Sequence, residues 1–192
     1  MAPTRLTPGV TGANFIAGVT SASQTIIVGD DGLSGGPGQD DDIYSSVRFN
    51  SGLFGQAATP FSGTISKVDA GNLSISVMAP QAFDNATINT QPSHEVDFAV
   101  SPGATVTLSS AMNPASTATV FNINGDPAGQ NQRLLVLGAT GAIASGQTYN
   151  VTNGRVNFTN DAINTVQGTL NINSGASIYL DATDEDGGAP SL

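Results

Sequence analysis

Hydrophobic and polar positions alternate through most of this chain. IYSSVRF places Ile43, Ser45, Val47 and Phe49 on one face, and NLSISVM does the same with Leu73, Ile75 and Val77. EVDFAV sets Val96, Phe98 and Val100 opposite Glu95 and Asp97. The spacing returns at Val106 and Leu108, Phe121 and Ile123, Val156 and Phe158, and Leu170 and Ile172. Side chains of a strand point alternately to its two faces, so a period of two describes half-buried β-strands. With turn residues between them, these segments predict roughly ten strands. RLLVLG, residues 133–138, is apolar on both faces and is expected as a central strand. Glycine (23), proline (10), Thr, Ser and Asn are abundant, and all are mediocre or poor helix formers.

Two segments read as hairpins. VDFAV and ATVTL flank Ser101, Pro102 and Gly103, a proline with preset φ followed by a glycine that accepts positive φ. TLNIN and ASIYL flank a turn at Ser174 and Gly175. Antiparallel pairing with one solvated face gives this kind of alternation, so the expected fold is all-β, a β-sandwich or jelly roll with an extended N-terminal arm. A β-helical solenoid is the alternative. FNING at 121–125, NVTNG at 150–154 and LNINSG at 170–175 echo one another. Their intervals, about 29 and 21 residues, share no consistent period, and Asn-Gly after a strand is also what a hairpin turn requires.

Four regions follow from composition. Residues 1–28 alternate small, polar and apolar groups with too few large side chains to fold alone, and are expected as an arm ordered against another surface. Residues 29–42, GDDGLSGGPGQDDD, form a Gly/Asp-rich loop, residues 43–183 the sandwich body, and residues 184–192 a flexible acidic tail. The formal charge is −10, with 15 acids against five cations: Arg5, Arg48, Lys67, Arg133 and Arg155. Nucleic acids and anionic membranes are bound through clustered basic groups, so neither is an expected partner. The chain has no cysteine, which excludes disulfides and thiolate metal sites. No window reaches the length of a membrane span, and the N-terminus lacks a signal-peptide pattern, so synthesis in a cytoplasm is expected.

Candidate chemistry is thin. An EF-hand needs spaced acids, a glycine at its sixth position and a glutamate at its twelfth. Asp40, Asp41 and Asp42 are consecutive, and DATDEDGG matches only at Asp184, Asp186 and Gly187. A looser calcium cage built from several loops stays open. The aspartates of 29–42 repel phosphate, and no GK[ST] follows them. His94 is the one histidine, and Ser93 is too close to it in sequence to act as an in-line nucleophile. Without Trp and with three Tyr, sugar-stacking platforms are few. No catalytic residue, resident metal or cofactor is therefore assigned. The arm offers backbone groups to a foreign sheet edge, with Arg5, Leu6, Val10, Phe15 and Ile16 as contact residues.

The cysteine-free acidic composition, the Ala/Gly/Thr/Ser/Asn-rich β body and the arm APTRLTPGVTGANFIAGV resemble the decoration, or cement, proteins of tailed-bacteriophage capsids. The resemblance is one of overall profile and carries over no functional residue. It implies a non-enzymatic structural protein on the capsid exterior of a virion, made in the host cytoplasm. Its implied partners are the major capsid protein and further copies of itself, a trimer above all. The alternative expectation is a tail-associated or surface adhesin module that binds glycan, with calcium held by the Asp-rich loops. A hydrolase using scattered carboxylates is a third.

Overall fold

The computed structural model describes residues 16–19, 21–29, 46–49, 60–129, 132–138, 142–159 and 166–180, to which every structural statement refers. The chain winds in successive coils. The first holds β1 (Ile16–Gly18) and β2 (Thr25–Val28), and the second β3 (Ser46–Phe49) and β4 (Thr64–Lys67). The third holds β5 (Leu73–Val77), β6 (Gln81–Phe83) and β7 (Thr87–Asn89). β8 (Val96–Val100) and β9 (Val106–Leu108) follow, then β10 (Val120–Asn124) and β11 (Arg133–Leu137). The last two coils carry β12 (Thr148–Thr152) with β13 (Gly154–Phe158), and β14 (Thr169–Ile172) with β15 (Ala176–Leu180).

Every strand pairing is parallel and joins one coil to another. Three sheets result: seven strands in the order β1-β3-β5-β8-β10-β12-β14, five in the order β15-β13-β11-β9-β6, and three in the order β2-β4-β7. This is a parallel β-solenoid. The all-β expectation holds, but the sandwich or jelly roll does not, because no two antiparallel sheets face each other among the described residues. Both expected hairpins are corners. β8 and β9 lie in different sheets, as do β14 and β15. Gly103 (φ +82°) and Gly175 (φ +73°) turn the chain from one sheet to the next, where Ala104 N donates to Ser101 O and Ala176 N to Asn173 O.

Stacking in register turns the period-two alternation into columns. Val47, Ile75, Phe98, Ile123, Val151 and Ile172 form one inward column of the seven-stranded sheet. Phe83, Leu108, Leu137 and Phe158 form another in the five-stranded sheet, and Ile26, Ile65 and Ile88 one in the three-stranded sheet. Phe83 meets Phe49 and Phe98 edge to face at 5.2 and 5.6 Å, joining two sheets inside one core. β11 is the third of five strands, at the centre as its sequence suggests. A register shift between Arg133 and Leu135 lets both Leu134 and Leu135 be buried. The corner after β12 is a single residue, Asn153 at φ +58°, a conformation asparagine tolerates better than most. Beside it Gly154 has no room for a Cβ, which would lie 2.8 Å from that of Leu134.

Two strands fall within residues 1–28, the expected arm. β1 pairs with β3 and β2 with β4, and Val19, Ile26 and Val28 are buried in the common core. Apart from Gly29, the Gly/Asp-rich loop 29–42 lies outside the described residues, as does the tail 184–192.

Tyr149 stacks on Phe121 with ring centroids 4.7 Å apart, and its hydroxyl is buried without a hydrogen-bond partner. Burial pushes the phenol well above its ordinary value. The unfolded chain releases this proton near pH 10 whereas the folded chain keeps it, so rising pH beyond about 10 favours unfolding. Removing the unpaired hydroxyl is expected to raise the unfolding free energy of Tyr149→Phe by about 1 kcal/mol at neutral pH. Urea denaturation at about pH 8 and pH 11 should show that gap widening at the higher pH.

Candidate functional site

The outer face of the seven-stranded sheet carries a continuous polar column. Ser46, Ser74, Asp97, Asn122, Asn150 and Asn171 occupy one register position on six successive coils. Asn171 Nδ2 donates to Asn150 Oδ1 and Asn150 Nδ2 to Asn122 Oδ1, each at 2.8 Å. Asn122 Nδ2 then donates to Glu95 Oε2 and to Asp97 Oδ1, both at 2.7 Å. From the next coil Asn72 Nδ2 donates to Asp97 Oδ2 at 3.0 Å, while Asn72 Oδ1 accepts from Glu95 N.

The register explains this geometry. Parallel strands lie about 4.8 Å apart, a span that two side-chain amides bridge with one hydrogen bond. All three amides point their N–H groups the same way, toward the two carboxylates. Aligned donors polarise one another, and the positive end of the row meets the negative charge. The row therefore fixes Glu95 and Asp97 as acceptors side by side and stiffens the face. It forms a preset polar surface whose members are paired with one another.

A second constellation lies on the outer face of the five-stranded sheet. Arg133 and Arg155 are register partners on adjacent coils. The Arg155 guanidinium sits 5.3 Å from the ring centroid of Tyr179, whose side of the last coil is open (46% exposed). Asn157, register partner of Tyr179, is only 7% exposed, and its Oδ1 has no hydrogen-bond partner. Arg155 Nε is shielded and unpartnered as well. On the three-stranded sheet the mostly buried Lys67 pairs with Asp69.

Of the contact residues expected in the arm, Arg5, Leu6, Val10 and Phe15 lie outside the described residues. Ile16 opens β1 as the register partner of Ser46. His94 sits half-buried in the turn that enters β8, its backbone N donating to Gln91 O and its carbonyl accepting from Thr90 Oγ1. Among the described residues no three of His, Cys, Asp and Glu gather as a metal site. The amide row and the arginine pair were not anticipated from sequence. The echo of FNING, NVTNG and LNINSG held the signal for the row, because Asn122, Asn150 and Asn171 are its matching positions.

No protein-family model, no curated protein and no solved structure matches the chain.

Breaking the row should cost most where it meets the charges. Asn122→Ala withdraws a donor from two carboxylates and is expected to lower stability by about 2 kcal/mol, against about 1 kcal/mol or less for the terminal Asn171→Ala. Chemical denaturation of the two variants checks the order.

Proposed function

We propose that the chain is a non-enzymatic structural module of a phage particle that binds the capsid lattice through the outer face of its seven-stranded sheet. The amide row from Asn171 to Asn72 carries this reading. A face whose polar side chains are already held by one another loses little freedom on docking, which removes a main cost of association. The coils stack in register, so a polar side chain recurs at the same position on successive coils. That suits contact with an ordered lattice. The net charge of −10 keeps such a module off packaged DNA. Bound copies would stabilise the shell by mass action, and several copies joined would gain avidity.

Self-association has its own support. Ile178 continues the inward column of Val106, Leu135 and Val156, yet it is 52% exposed on the last described coil. It gives the rod an apolar end where a second copy can pack.

Sedimentation with empty phage capsids, together with light scattering of the free protein, tests the proposal. The chain should pellet with capsids and scatter as an oligomer. Ser74→Trp, on the exposed outer face beside the row, should weaken capsid binding about tenfold without changing the melting temperature. A chain that stays monomeric and ignores capsids contradicts the reading.

A second reading, a surface adhesin module that binds glycan, is favoured by one observation. Tyr179 presents an open aromatic ring on the outer face of the five-stranded sheet.

A further inference from the structure

We infer that Arg133, Arg155, Asn157 and Tyr179 form a binding site for an acidic saccharide, a hexuronate, on the outer face of the five-stranded sheet. The inference rests on the glycan-binding reading and is independent of the capsid one.

The first observation is charge. Like charges on register-paired positions repel, so two arginines side by side destabilise the bare sheet. Arg133 and Arg155 are such a pair, and neither makes an ion pair with a described residue. In a protein with three acids for every cation, a pair left unneutralised among the described residues is conspicuous. Guanidinium groups grip carboxylates with two parallel hydrogen bonds, and two neighbouring forks can hold one carboxylate from both sides.

The second observation narrows the ligand. Arg155 Nε is a donor without an acceptor, and Asn157 Oδ1 is an acceptor without a donor. A carboxylate satisfies only the first, since it has no proton to give. A hydroxyl satisfies the second. The third observation is the Tyr179 ring, open beside the pair and touched by the Arg155 guanidinium at 5.3 Å. A pyranose lays its C–H face on such a ring. Carboxylate, hydroxyls and a flat C–H face occur together on one hexuronate ring, whereas a phosphate or an acidic peptide side chain lacks the flat face. In the free protein the Arg155 guanidinium rests on the ring. On binding it moves to the carboxylate, which gives Nε a partner, while the open part of the Tyr179 ring takes the sugar. All four residues stand on strands β11, β13 and β15, so the backbone beneath them is fixed.

Calorimetric titration of the full chain with trigalacturonate, its methyl ester and maltotriose tests this. The acid should bind, and the methyl ester about tenfold more weakly, because only the charge differs. Arg133→Gln, at an exposed position safe for folding, and Arg155→Gln should each weaken the acid about tenfold. Arg155→Lys, which keeps the charge but loses the fork, should fall at least about threefold. Tyr179→Leu should weaken acid and ester alike. Equal affinity for acid and ester overturns the inference, as does unchanged affinity in both arginine variants or failure of the acid to bind. Binding that emerges only when Asp184, Glu185 and Asp186 are neutralised also overturns it, since the chain's own acids would then be the occupant. Maltotriose binding alone sinks the acidic site but leaves the glycan reading standing, and a glycan array without hits removes that reading too.

Discussion

Each strand of this protein finds its hydrogen-bond partner a full coil away, never in the strand before or after it. Parallel strands cannot be joined by a tight turn, because the chain must first return to the same end. Here it returns by travelling round the core, through the three-stranded sheet in the first two coils, through both other sheets in the third, and through the five-stranded sheet in the later ones. Everything else depends on that circuit. The corners are free to differ in length, as the insertion with a 3₁₀ turn at Pro127–Gly129 shows, while the strands above and below stay in register. A coil with a long corner and one with a short corner still place Phe121, Tyr149 and Leu170 in one column.

Register gives the columns their physical character. Inside, each apolar side chain rests on an equivalent one from the next coil, and Phe49, Phe61, Phe83 and Phe98 tie the faces together through edge-to-face contacts. Outside, the same stacking converts three unremarkable asparagines into a row of aligned dipoles that ends on two acids. It also forces Arg133 beside Arg155, where repulsion makes an incoming anion favourable. One geometry thus produces a self-satisfied face and an unsatisfied one. The first holds its amides in mutual hydrogen bonds, and the second leaves Arg155 Nε and Asn157 Oδ1 unpartnered.

The strands themselves were legible in the sequence. Alternation at Leu73–Val77, Val96–Val100, Val106–Leu108 and Val120–Asn124 marks real strands, and the doubly apolar RLLVLG is the centre of its sheet. Their partners were not legible. One apolar face and one wet face usually signal antiparallel sheets, since parallel ones are normally covered on both sides by helices. A solenoid is the exception, because its own core covers only the inside. Ser101, Pro102 and Gly103 bend a chain equally well into a hairpin or round a corner, so turn chemistry could not decide between them. The echo at Asn122, Asn150 and Asn171 was visible, but unequal corners hid its period. The amide row and the arginine pair need register to exist at all, and register is the one property that alternation leaves undetermined.

Parallel, in-register stacking can be tested with a single covalent probe, because the chain has no cysteine of its own. Thr148 and Thr169 are register partners on neighbouring coils. Cysteines placed at both would have Cα atoms about 4.8 Å apart, within the range a disulfide spans. Mild oxidation of the Thr148→Cys, Thr169→Cys chain should close the bond within one molecule and leave the melting temperature unchanged or higher. An antiparallel neighbour would instead set Thr148 opposite the Ile172 end of β14. Thiols that stay free in the folded, oxidised protein would contradict the solenoid and every column built on it.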